Sequence, residues 1–369
     1  MTGFRLVVDC RYVRRDGRHD GISRYSAGIT AALGRRVPLT MLIDDERQLA
    51  LLPDLPWART RPPAHPLEPL IPRVVNRLRP DVVFCPLQTS GSVGRRYGLV
   101  LTLHDLIYYR HRTPPAEFAP WVRLGWRLLY LSYLPQRLLL GRADEVVTVS
   151  ETVAGEIAAH RLTRRPVTVV PNAADGEPLP AAAPGPRERS LVYMGAFIGY
   201  KDVPTLVRAA ALLQGWTLHL ASRVPPAERA RLERLAPGAE LVFHDGVDEA
   251  GYRALLDSAT ALVSASRDEG FGLPVVEAMQ RGVPVVLTDV PIFREVGGDA
   301  ALYAAAGDAS AFAAAVRRLE EPGEWARRSS ASLERAAAYS WDASAERLLP
   351  VLERVAGSRI RRDRPTRRG

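Results

Sequence analysis

Residues 264–282 read SASRDEGFGLPVVEAMQRG. They follow the apolar run Ala261–Val263, which reads as a buried strand, and they open as a polar loop holding Gly270 and Gly272. Pro274 then suits the first turn of a helix and Gly282 its end. Strand, glycine loop and helix form the unit of an open α/β sheet, in which ligands bind outside the carboxyl ends of the strands. The helix start offers N–H groups around Leu273–Val276, and the glycines let a ligand approach the backbone. That arrangement suits a phosphate. Glu269 and Glu277 frame it, eight positions apart. A carboxylate accepts hydrogen bonds from hydroxyls rather than from phosphate oxygens. A diphosphate flanked by two polyol rings would satisfy both features. On spacing alone, a solvated loop acid at 269 and a dipole-complementing acid at 277 serve equally well.

Outward from this stretch the same alternation of strand and helix continues. Strands are expected at Phe4–Val8, Leu39–Ile43, Val82–Cys85, Leu99–Leu103, Val146–Val149 and Val167–Val170, and again at Leu191–Met194, Thr217–Ala221, Glu240–Phe243, Ala261–Val263, Val283–Leu287 and Ala301–Tyr303. Helical periodicity lies between them, as in Val203–Leu213 and Gly251–Ala259. Two such series imply two doubly wound α/β domains. Residues 174–190 hold Pro178, Pro180, Pro184 and Pro186 beside Gly176 and Gly185, a linker composition. The expected division is 1–185, 186–356 and a basic, disordered tail over 357–369.

Composition narrows the class. The 369 residues are 47% hydrophobic and 25% charged, ordinary globular values that exclude wholesale disorder and coiled coil. The longest apolar candidate, Leu128–Gly141, is broken by Pro135 and Arg137, so no membrane-spanning helix is expected. The start MTGFRLVVDC reaches Asp9 too soon for a signal-peptide core. Cys10 and Cys85 stand in no metal spacing and read as buried thiols of a cytoplasmic protein. The net charge of +9 divides into +8 over residues 1–185, −4 over 186–356 and +5 over 357–369. An acidic second half argues against a nucleic-acid partner. The Arg-rich tail is expected either to solubilise the chain or to make peripheral contact with an anionic membrane, as at the inner membrane face.

Several segments together resemble one family. EGFGLPVVEAMQRGVPVV (269–286) is similar to the E-x7-E signature of the retaining glycosyltransferases of family four. DGISRY (20–25), LTLHD (101–105), VVTVSE (146–151), VTVVPNA (167–173), LVYMGAFIGYKDVPTLVRA (191–209) and PIFREVGGDAALY (291–303) match in order. The resemblance implies the GT-B fold, two Rossmann-like doubly wound domains with an interdomain cleft. It places the donor mainly on the second domain and the acceptor mainly on the first, and a final helix around Asp342–Ala356 crosses back to the first. It implies transfer of a hexosyl group, with retention, from a nucleotide diphosphate sugar to an acceptor hydroxyl on a glycan, a lipid-linked molecule or a small molecule. Residue by residue, Glu269 would contact the donor sugar hydroxyls, Gly270, Phe271 and Gly272 would form the backbone cradle, and Glu277 would hold the ribose. Lys201 would neutralise the diphosphate, Gly21 would lie in the N-terminal glycine loop, and His104 would lie close to the reacting sugar. Where the family has Arg after Gly195, this chain has Ala196, leaving that motif one cation; Arg223 is the candidate replacement, or else a solvated loop cation. Ala173 replaces the glycine of the family's PNG.

Other readings stand beside these. His104 is also read as a strand-end histidine bonded to Asp105 or to the backbone. Of the 50 Lys and Arg residues, only Lys201 is lysine. A site needing a compact ammonium explains that best. No D-x-D element occurs, so neither a divalent metal nor another cofactor is expected. The segment 106–142 interleaves Tyr108, Tyr109, Phe118, Trp121, Trp126, Tyr130 and Tyr133 with arginines. Its aromatics read as core, its arginines as a wet face or a contact for an anionic acceptor or headgroup. The alternatives for function are a nucleotide-sugar epimerase on the same fold and a degenerate, non-catalytic nucleotide-sugar-binding protein.

Overall fold

Runs rich in Val, Ile and Leu without polar alternation, such as VVFC and GLVLTL, belong to strands covered on both faces, and such strands pair in parallel. The computed structural model describes residues 3–17, 20–114, 119–175 and 188–363. Among these, thirteen strands form two sheets, and every strand pairing is parallel. Contacts divide the chain into a first unit, Met1–Ala173 with Trp341–Gly369, and a second, Ala174–Ser340.

The first unit holds β1 (Leu6–Asp9), β2 (Leu39–Ile43), β3 (Trp57–Arg59), β4 (Val82–Cys85), β5 (Gly98–Leu103), β6 (Glu145–Thr148) and β7 (Val167–Val169), in the order β3-β2-β1-β4-β5-β6-β7. Its core packs Val7, Leu42, Val83, Leu101 and Val146 from the sheet against Val153, Ile157 and Tyr109. Cys10 and Cys85 are buried free thiols. Asp20 caps the helix Gly21–Gly34 by accepting from the Ser23 N–H at 2.8 Å.

The order reverses between β1 and β4, and a buried charge network lies where these strands end. Arg11 donates to Asp9 through Nε and Nη2, both at 2.7 Å, and to Glu68 through Nη1 at 2.7 Å and Nη2 at 2.9 Å. Its Nη1 also reaches the Arg61 carbonyl at 3.1 Å, and Glu68 accepts from the Gly91 N–H at 3.2 Å. The network thereby ties the loops around 61–68 and 91 to the end of β1.

The second unit holds β8 (Ser190–Tyr193), β9 (Thr217–Leu220), β10 (Glu240–Phe243), β11 (Ala261–Ser264), β12 (Val285–Thr288) and β13 (Leu302–Ala304), in the order β10-β9-β8-β11-β12-β13. With β8 as first strand this is the doubly wound order 3-2-1-4-5-6, reversing between β8 and β11. A separate core packs Leu191, Val263 and Val286 against Leu206, Val207, Phe312 and Val316.

The final helix, Trp341–Asp363, belongs to the first unit. A second domain extending to 356 is therefore corrected to one ending at Ser340, while the crossing-back of the last helix is as expected. Close approach explains the docking. A Cβ on Gly28 would lie 2.2 Å from the Trp341 ring, and one on Gly98 would lie 2.3 Å from Val355. Arg36 and Arg35 pair with Asp342, Arg354 with buried Glu145, and Ser344 Oγ donates to the Pro171 carbonyl at 2.6 Å. The helix runs through Asp363, so the first part of the expected disordered tail is helical; residues 364–369 and most of the expected linker, 176–187, lie outside the described residues.

Candidate active site

In the second unit, the chain leaving β8 and the chain leaving β11 emerge side by side because those strands are neighbours. The first path runs through Gly195 and Ala196 to a single turn, Gly199–Lys201, then into the helix Val203–Ala211. The Gly195 N–H donates to Ser222 Oγ at 3.0 Å, and Tyr193 Oη donates to the Ala196 carbonyl at 2.8 Å. Between turn and helix sits Asp202 with φ +46°, a left-handed conformation that Asp tolerates better than most residues.

The second path, 265–272, is pinned to the first. The Arg267 N–H donates to the Tyr200 carbonyl at 2.8 Å, and the Arg267 guanidinium donates twice to Asp202 Oδ2, at 3.0 and 2.8 Å. Lys201 Nζ then pairs with Glu269 Oε1, both side chains largely buried. The residue expected on the diphosphate and the residue expected on the sugar bonded to it thus meet in an ion pair.

Gly272 has φ +95°, and a Cβ there would lie 3.1 Å from the Phe293 ring, so the turn into the helix Leu273–Gln280 needs glycine. Phe271 is buried and meets Tyr339 edge-on, centroids 5.4 Å apart, so it offers a ligand only its backbone. The N–H groups at the helix start are fewer than the spacing suggests. Pro274 has none, and that of Val275 is taken by the Gly272 carbonyl at 2.9 Å. The Val276 side chain belongs to the core, while Leu273 and Glu277 are half-buried. Arg223 is exposed and, among the described residues, has no ion-pair partner, as a solvated loop cation would be.

The other expected residues stand in the first unit. His104 follows β5. Its Nε2 lies 2.7 Å from the Pro86 carbonyl, which can only accept, so Nε2 carries the proton and Nδ1 keeps its lone pair. Burial lowers its pKa below the ordinary 6.5, against the opposing pull of that carbonyl. The backbone alternative for His104 is thus its actual hydrogen bond. The Tyr25 ring stands edge-on to the imidazole, centroids 4.8 Å apart, on the helix that opens at Gly21. Tyr25 and His104 therefore link the helix that opens at Gly21 to the end of β5. Sequence reading missed the Arg267–Asp202 clamp, whose only signal was proximity to Lys201 and Glu269.

Comparison with known proteins completes the assignment. The profile described as Glycosyltransferase Family 4 matches residues 20–177, and that described as Glycosyl transferases group 1 matches residues 188–321. The O-antigen chain mannosyltransferase RfbU of Salmonella typhimurium is 26% identical over 233 residues, covering 60% of each chain, so the match spans less than two thirds of that relative. Sucrose-phosphate synthase from Thermosynechococcus elongatus superposes with a TM-score of 0.69 at 21% identity, over 96% of this chain and 100% of that one. Anabaena HepE in complex with UDP and glucose superposes with a TM-score of 0.67 at 17% identity, over 95% and 99%. At these identities the structures speak to fold alone. Matched in order along both units by the two profiles, and folded as two parallel, doubly wound sheets, the chain belongs to glycosyltransferase family 4 and has the GT-B architecture.

Proposed function

We propose that this chain transfers a hexosyl group from a nucleoside diphosphate sugar to an acceptor hydroxyl, with retention at the anomeric carbon and without a divalent metal. The observation that carries the reading is the Lys201–Glu269 pair at the point where the second sheet reverses its order. An ammonium held there offers its charge to a diphosphate, and the carboxylate beside it suits sugar hydroxyls. A relative named as an O-antigen mannosyltransferase and a neighbour solved with UDP and glucose support a nucleotide-sugar donor and a glycan acceptor.

In the proposed reaction the bond from C1 to the diphosphate oxygen breaks and a bond from C1 to the acceptor oxygen forms on the same face. The acceptor proton passes to the departing phosphate oxygen, so no protein nucleophile is required. Lys201 stabilises the charge that develops on the diphosphate, the largest kind of catalytic term in such sites. Glu269 holds the sugar, the backbone of Gly270–Gly272 lines it, and Glu277 takes the ribose. Leu273 contributes backbone rather than side-chain contact, and Arg223 remains a candidate second cation once donor is bound. His104, neutral at pH 7 because burial lowers its pKa, would offer Nδ1 as an acceptor to a sugar hydroxyl.

The test is transfer and donor hydrolysis with a panel of UDP-, GDP- and ADP-sugars, with and without EDTA. One donor should support turnover that survives chelation. Lys201→Ala should lower kcat by a factor of about 10²–10³, and Lys201→Arg should restore it in part. No turnover with any donor, or activity lost to EDTA and recovered with magnesium, would overturn the proposal.

A further inference from the structure

The segment expected to pack its aromatics into the core divides into two faces. The helices Pro120–Leu129 and Leu134–Leu140 form a pair joined by a short turn. Its inner face is already partnered. Tyr108 meets Trp126 at 5.0 Å between centroids, Tyr109 meets Tyr130 at 4.9 Å and Tyr133 at 4.3 Å, and Tyr133 stacks on His160 at 4.2 Å. Among the described residues the outer face has no such cover. Trp121 is 77% exposed, and Leu124, Leu128, Leu131, Leu134 and Leu138 are each 57–59% exposed. Trp121, Leu124 and Leu128 follow the i, i+3, i+7 spacing of one helical face.

Charge identifies what such a face meets. Residues 119–141 contain Arg123, Arg127 and Arg137 and no acidic residue. Arg123 Nε is buried without a hydrogen-bond partner, and Arg127 is exposed. Two copies packed through this face would bring like charges together, since a two-fold interface sets the same patch against itself. An amphipathic pair with a Trp and Leu face and an all-arginine charge complement suits the interface plane of a bilayer with anionic headgroups. We infer that the 119–141 helical pair is the surface by which this chain docks on an anionic lipid bilayer. The anchor is this folded patch rather than the Arg-rich tail.

The test is co-sedimentation of the full chain with vesicles of phosphatidylcholine containing phosphatidylglycerol, against vesicles of phosphatidylcholine alone. The wild type should favour the anionic vesicles. Leu124→Gln with Leu128→Gln should weaken that binding at least about tenfold, and Arg123→Gln with Arg127→Gln should erase the preference for anionic lipid. Removing residues 357–369 should leave most of the binding. Because the leucines are exposed, the thermal melt should not move; if it does, Leu134→Gln with Leu138→Gln supplies the second reading. Binding unchanged in both leucine pairs, or lost only on tail removal, would overturn the inference. So would a lack of vesicle binding accompanied by a concentration-dependent dimer, seen by sedimentation velocity, that the leucine pairs abolish.

Discussion

Arg11→Met removes a cation that two inward-facing carboxylates, Asp9 and Glu68, share. The Arg11 side chain is fully buried, Asp9 is 1% exposed and Glu68 is 16% exposed, so little water is available to replace the guanidinium. Burial works against the Arg11 charge, yet the two carboxylates more than offset it and raise its pKa above the ordinary arginine value. Breaking a buried pair by deleting one partner costs about 3–5 kcal/mol, because a charge is left behind without compensation. At about 2–4 °C per kcal/mol for a unit of this size, the first unit should melt roughly 6–20 °C lower. Arg11→Lys should fall between, since an ammonium is a point charge that does not span both carboxylates as the planar fork does. Differential scanning calorimetry of the two variants beside the wild type reads the shift directly. A fall of less than about 2 °C for Arg11→Met, or equal damage from Met and Lys, would refute the reasoning.

Gly28→Ala places a methyl where the Trp341 ring already lies, and should cost about 1–3 kcal/mol as the last helix shifts; a melt identical to wild type would show that the helix gives way freely. His104→Gln should flatten the pH dependence of stability below pH 6.5. With its pKa lowered in the folded state, His104 takes up a proton more readily when unfolded, so wild-type stability declines as the pH falls through and below 6.5. Parallel melting curves against pH for the two proteins would contradict that role.

Long, doubly buried strands were legible because they leave uninterrupted apolar runs. Twelve of the thirteen strands were anticipated within a few residues, and the exception has a physical cause. Strand β3, Trp57–Arg59, is three residues long, lies at the sheet edge with Trp57 and Arg59 exposed, and sits among Pro53, Pro56, Pro62 and Pro63, so no burial pattern marks it. Lys201 stood out as a solitary residue type and Glu269 as a loop acid after a strand. Their pairing follows from strand order, which no local pattern encodes. Arg267 and Asp202 were invisible for the same reason, being 65 residues apart and joined only because β8 and β11 are neighbours. The reading of the 106–142 aromatics as core failed at Trp121 for a different reason. Periodicity tells that one side of a helix is apolar, and it does not tell whether that side meets protein.

The discontinuity of the first unit sets an order of events during synthesis. Its sheet is complete once residue 169 has been made, yet the helix that covers Gly28 and Gly98 begins at Trp341. All of 174–340 is translated in between, and that stretch is contiguous, with its own sheet and core. The nascent first unit must therefore wait with the surfaces at Gly28 and Gly98 uncovered while the second unit emerges and folds. A chain ending at Ser340 and released from the ribosome would hold a finished second unit and an unfinished first, and chaperone capture of it should concentrate on the surface around Gly28.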